Sequence, residues 1–176
     1  MKRLTLLRHA KSSWNDPGQP DFERPLNARG FRDAPRMGQR LRHAGARPSL
    51  ILTSPAVRAF ETAKIIAAEI GYPREFLQRE QSLYLADPET ILEIVSLQDN
   101  AFNDVMVVGH NPGLHELAER IGTMPLTNFP TCAVMVVDIP VRDWEALLQA
   151  PRGETVHYDW PRNPNGPDAD LLRRRD

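Results

Sequence analysis

Several protein classes are excluded by what this chain lacks. Cysteine occurs once in 176 residues, as Cys132. A single thiol builds neither a disulfide framework nor a cysteine-rich zinc site, so a reducing, cytoplasmic setting is expected. No apolar run approaches the ~18 residues that a membrane span needs. The opening Met1–Leu7 meets Arg8 and His9 too soon to be a signal-peptide core. No membrane partner is expected. Net charge is −1, so bulk electrostatics gives no case for a nucleic-acid partner. Lysine is scarce, with 3 against 19 arginines. There is no internal repeat and no domain linker, and the length suits one domain.

The near-neutral total hides a polarity. Residues 1–64 carry +8 and residues 65–176 carry −9. Such a split can draw an anionic ligand to one side.

Apolar runs at 3–8, 50–53, 104–109 and 131–139 read as buried strands, with a short one at 75–79 and an edge strand at 154–160. Between them lie helical patterns. Asn27 is placed to cap a helix reaching His43, with Ala34, Met37, Gly38 and Leu41 inward and Arg29, Arg32, Arg36 and Arg40 on another face. Pro35 inside it predicts a kink or a later start near Asp33. Pro55, then Ala59, Ala63, Ile66, Ala67 and Ile70, predicts a second helix closed by Gly71. Further helices are expected at 88–97, after Gly113 to Ile121, and briefly at 143–149. Strand alternating with helix predicts a three-layer α/β/α sandwich with a mainly parallel central sheet. Continuous rather than alternating apolar strands fit a sheet covered on both faces. Residues 1–160 are expected to form the domain and 161–176, rich in Pro, Asn, Gly and Arg, a loosely packed extension.

Ligands in such sheets bind beyond the carboxyl ends of the strands. Arg8 and His9 follow the first strand, Ser54 to Arg58 the second, and His110 and Asn111 the strand ending at Gly109. Two arginines and two histidines converging there suit a dianion such as a phosphoryl group, and the helix starts beside them add N–H donors. Each residue alone has an ordinary structural explanation; the combination is what points to a site. His115 and Glu116 lack the second histidine of a zinc H-E-x-x-H motif, and no metal or cofactor is expected. His43 and His157 are expected on the surface, and Cys132 as a small apolar residue.

Leu7-Arg8-His9-Ala10 resembles the L-x-R-H-G signature of the histidine phosphatase superfamily, which includes the cofactor-dependent phosphoglycerate mutases. Pro25-Leu26-Asn27-Ala28-Arg29-Gly30 resembles its P-L-T-x-x-G helix start. Ser54-Pro55-Ala56-Val57-Arg58-Ala59-Phe60-Glu61-Thr62-Ala63 is similar to its S-P-x-x-R-A-x-x-T-A segment, and Val108-Gly109-His110 to its V-x-H motif. The four come in family order across residues 4 to about 137. The short length and Ala10-Lys11-Ser12-Ser13-Trp14 resemble the small bacterial SixA type, phosphohistidine phosphatases. The resemblance implies a phosphoglycerate mutase-like fold, His9 as the nucleophile that accepts the phosphoryl group, and Arg8, Arg58 and His110 as the rest of the pocket. It also puts Ser12 and Asn15 near phosphate. Ala10 replaces the family glycine. Where acid-bearing relatives have a glutamate, this chain has Ser82, flanked by Glu80 and Asp87, and the general acid stays unassigned.

Neutral imidazole is a far better leaving group than alkoxide, so a missing acid favours a phosphoramidate substrate. The expected function is hydrolysis of phosphohistidine on a partner protein through phospho-His9, releasing inorganic phosphate. The alternatives are a small-molecule phosphomonoesterase of the same superfamily and a non-catalytic binding module using the Arg29–Arg40 face.

Overall fold

The computed structural model describes residues 1–149 and 151–167. Within them six strands form one sheet: β1 (Lys2–Arg8), β2 (Leu50–Thr53), β3 (Gln78–Arg79), β4 (Asp104–Gly109), β5 (Val134–Ile139) and β6 (Glu154–Asp159). Their spatial order is β3-β2-β4-β1-β5-β6. β1 to β4 run parallel, and β5 lies antiparallel to both its neighbours, so it alone points the other way. The sheet is mainly parallel, as expected.

Side-chain alternation divides the core in two. On one face Leu7, Met106, Val108 and Val134 pack beneath α1 (Ala28–His43) and α2 (Val57–Ile70). On the other, Leu4, Leu6, Val105 and Val107 pack beneath α3 (Pro88–Ser96), α4 (Gly113–Ile121) and the 3-10 turn Trp144–Gln149. This is the three-layer sandwich. The inner strands β1, β2, β4 and β5 are largely apolar on both sides because both sides are covered.

The helix signals act as the physics requires. The Asn27 side chain accepts the Gly30 N–H at 2.9 Å. Gly71 closes α2 at φ 78°, a left-handed conformation that costs glycine little. Pro35 does not delay α1, which starts at Ala28 and runs through it. The lost backbone bond is outweighed by burial of Ala34, Met37, Gly38 and Leu41. The short β3 starts at Gln78, because Arg74–Phe76 after Pro73 form a 3-10 turn. β5 starts at Val134 rather than 131, because Cys132 takes φ 61° and breaks the extended run.

The arginines of α1 do not make a free cationic face. Arg40 is 5% exposed and its Nη1 sits 3.2 Å from both carboxylate oxygens of Asp159 at the end of β6. Arg29 and Arg36 flank the buried Asp33. Arg40 also reaches the carbonyls of Trp160 and Pro161, so the first residues after β6 fold back onto α1. Of the extension expected over 161–176, residues 168–176 lie outside the described residues. Among those described, no helix is long and apolar enough to cross a membrane.

Candidate active site

β1 lies between β4 and β5, and its carboxyl end is held from both. The His9 N–H donates to the Gly109 carbonyl on β4, while the His9 carbonyl accepts the Cys132 N–H ahead of β5. One residue on, the Ala10 N–H donates to Thr62 Oγ1, whose hydroxyl donates to the Arg58 carbonyl on α2. The first turn of α1 presses on the same loop. A Cβ on Gly30 would stand 2.2 Å from the Lys11 carbonyl oxygen, so only glycine allows this approach. His9 is therefore fixed on every side through its backbone.

Its ring is fixed too. His9 Nδ1 lies 2.7 Å from the Ala10 carbonyl. A carbonyl only accepts, so Nδ1 carries the proton and Nε2 keeps its lone pair. Burial drives the ring's pKa down to about 3; His110, Arg58 and Arg8 push the same way, against the Ala10 hydrogen bond. His110 stands with its ring centre 5.2 Å from that of His9. Its Nε2 lies 2.7 Å from Ser54 Oγ, and its Nδ1 is buried without a protein partner. Burial, with Arg58 and Arg8 nearby, lowers its pKa to about 3 as well. Both rings are neutral at physiological pH.

His9 and His110 line a cavity of about 200 Å³ with Arg8, Arg58, Ser12 and Asn111. The four residues expected to act together are thus brought together, with Ser12 beside them. Asn15 is exposed and outside the lining. Lys11 and Arg24 add two more cations, and among the described residues no carboxylate lines the space. Arg8 Nε and Arg58 Nε are buried and unpartnered. Buried guanidinium nitrogens without an acceptor mark a place for an oxyanion.

Behind the cavity, Asp21 organises the cations. Its backbone carbonyl and Oδ2 accept from Arg58 at 2.7 and 3.0 Å, and its Oδ1 accepts from Arg24 at 3.0 Å. The Tyr84 hydroxyl also donates to it. Partial burial alone would raise this carboxyl; the Tyr84, Arg24 and Arg58 hydrogen bonds hold it down to about 2. Arg24 further donates to Ser12 Oγ at 2.7 Å and lies 3.5 Å from the Trp14 ring centre. Asp21, Arg24, Trp14 and Tyr84 were not singled out from the sequence. Loop residues have no periodicity to betray them. The one available signal is an acid and a base three apart beside Pro25.

The loop expected to hold a general acid supplies none to the cavity. Ser82 and Asp87 are exposed, and Asp87 caps α3 by accepting the Thr90 N–H. Glu80 is half-buried but does not line the space. From this loop it is Leu85, at φ 51°, that reaches the rim. His43 is exposed, as expected, whereas His157 is half-buried on β6 with Nε2 shielded from solvent. On the edge strand β6 it lines a hollow beside Leu41 and Ala44 at the end of α1. His115 pairs with Glu119 one turn on. Among the described residues no three His, Cys, Asp or Glu gather as metal ligands.

Comparison with known proteins supplies the family. The profile of the histidine phosphatase superfamily (branch 1) matches residues 4–81. An uncharacterised chloroplastic protein of Arabidopsis thaliana is 33% identical over 86% of this chain and 74% of its own. The crystal structure of a candidate phosphohistidine phosphatase, SixA, from Agrobacterium tumefaciens superposes with TM-score 0.75 at 30% identity, over 91% of this chain and 98% of the other. A protein histidine phosphatase SixA complexed with tungstate has the same fold, with TM-score 0.75 at 19% identity over 90% and 97%.

Proposed function

Since the chain belongs to the histidine phosphatase superfamily, is SixA-like and is a phosphatase, we propose that it hydrolyses phosphohistidine on a partner protein, with His9 as the nucleophile. The observation that carries this is the pairing of a neutral His9, its Nε2 free, with a cationic cavity to which the described residues bring no carboxylic acid.

The chemistry runs in two displacements. His9 Nε2 attacks phosphorus, the P–N bond of the substrate breaks, and the departing imidazole nitrogen takes a proton from solvent. Water then attacks phospho-His9; its P–N bond breaks, inorganic phosphate leaves, and Nε2 regains its lone pair. Charge spreads over the equatorial oxygens in each transition state. Arg8 and Arg58 grip those oxygens, with Lys11, Arg24 and Ser12 at hand, so stabilisation is electrostatic and built before substrate arrives. His110 presents its unpartnered Nδ1 to the phosphoryl group or its leaving atom. Asp21 does not serve as the acid, because its depressed pKa leaves it ionised; it aims Arg58 and Arg24. No metal takes part in this scheme, because the cations already present supply the counter-charge.

An alkyl phosphate needs its leaving oxygen protonated, and a placed acid typically contributes about 10²–10⁴-fold. Lacking one, the enzyme cleaves phosphohistidine at least about a hundredfold faster than an unactivated alkyl phosphate in the same EDTA-containing buffer. Folded His9→Ala protein is the control and is inactive on both. Equal wild-type rates on the two substrates would replace this reading by that of a small-molecule phosphomonoesterase.

A further inference from the structure

The 124–131 segment has the phosphate cavity on one side and a second depression of about 570 Å³ on the other. Pro130 lines the depression and Thr131 lines the cavity. Register places them at the same end of the sheet. Leu7, just before Arg8 and His9, pairs with Val134, and Val134 pairs with Asp159, which is followed by Trp160. Phe129 joins the two spaces. Its buried ring stacks on Tyr158 at 6.0 Å, and Tyr158 meets Trp160 at 5.2 Å. Its carbonyl accepts from Arg8 Nη1 and Asn111 Nδ2 in the phosphate cavity.

The two spaces differ in chemistry. The cavity is small and lined by four cations. The groove is nearly three times larger and, among the described residues, has no acidic or basic lining residue. Its walls are apolar and aromatic (Met124, Leu126, Pro130, Tyr158, Trp160), with Asn128, Asn163 and Asn165 among its polar members. Met124 is 41% exposed. A bare phosphate ester fits in the cavity and has no use for the groove. Nucleic acid would need cations, and the described residues of the groove supply none. An apolar polypeptide needs what it offers: aromatic faces for side chains and amides that both donate to and accept from a main chain.

We propose that this groove docks the polypeptide that flanks the phosphohistidine on the partner protein, an uncharged apolar segment, while the phosphoryl group enters the cavity next door. The proposal rests on the phosphohistidine reading above and names how that substrate is recognised. Binding energy from the remote segment then positions the reacting group, and Phe129 is the shared wall.

The test compares a phosphoramidate-treated, histidine-phosphorylated protein with free phosphohistidine, using the full chain. Met124→Asp, on the exposed rim, and Trp160→Ala, in the wall, are the variants, each checked for wild-type urea unfolding. We expect about tenfold loss of kcat/KM on the protein substrate, carried by KM, which corresponds to about 1.4 kcal/mol. Activity on free phosphohistidine stays within about twofold of wild type. Equal loss on both substrates, or none on either with Met124→Asp, overturns the proposal. If the double substitution Leu171→Asp with Leu172→Asp lowers the urea unfolding midpoint while KM for the protein substrate stays at wild type in Met124→Asp and Trp160→Ala, the groove belongs to the chain's own terminus and the proposal falls. A wild type that cleaves free phosphohistidine but not the protein sinks the groove alone. A wild type that cleaves neither sinks the phosphohistidine reading, and the groove with it.

Discussion

His9 and His110 stand 5.2 Å apart beside Arg8 and Arg58, and neither ring bears charge. In the unfolded chain both would titrate near the ordinary ~6.5; folded, both are held to about 3. The unfolded state therefore binds more protons between those values. The stability these neutral rings leave intact above pH 6.5 drains away as pH falls toward 3. Imidazole NMR of the free enzyme should show His9 and His110 flat from pH 8 to 5. A midpoint near 6.5 for either ring would contradict the burial argument. The four residues expected to form the pocket were legible because each directly follows a strand end or opens a helix, where geometry forces convergence. Asp21 and Arg24 sit in a loop with no period, and their part in the site shows only when the chain is folded. Asn15, three residues beyond Ser12, follows the loop outward to solvent.

At the scale of elements, a buried ion pair ties α1 to β6. Arg40 and Asp159 are each about 5% exposed. Removing one partner leaves a charge in a low-dielectric site, which costs far more than an exposed pair contributes. Asp159→Ala should lower unfolding free energy by about 3–5 kcal/mol in urea titration. Arg40→Met combined with Asp159→Leu should recover most of that loss, because two well-packed apolar groups need no desolvation. A single variant within 1 kcal/mol of wild type would show that water reaches the pair. The sequence showed α1 from its cap to its last turn, but placed Arg40 on an exposed stripe. Helical spacing gives the direction of a side chain and not what a distant strand brings to meet it. Pro35 misled in the opposite sense, since a local penalty yielded to the buried stripe around it.

Across the whole molecule, the charge split of the sequence becomes a split between faces. α1 carries five arginines and one aspartate on one side of the sheet, while α3 carries two glutamates and no base on the other. The strands interleave the two halves, but the helices sort them. The alternation of strand and helix sufficed for the layers. It could not reveal the reversed β5, because direction depends on a pairing that links residues 2–7 with 134–139.

That reversed strand is reached through Cys132, the chain's one thiol. It is buried, burial pushes its pKa up, and its N–H is spent on the His9 carbonyl. A thiol in this state does not react until the structure around it opens. The chain thus carries a built-in clock on the loop that holds His9. Modification by a disulfide reagent should be slow and single-exponential, at a rate set by how often the His9–Cys132 bond breaks. On the proposed function, inorganic phosphate is a product that occupies the cavity of the closed form only. At a hundred times its Kd it should slow labelling by about a hundredfold, the ~2.7 kcal/mol of linkage that such an excess supplies. A labelling rate indifferent to phosphate would mean that Cys132 opens to solvent without the loop that holds His9 moving at all.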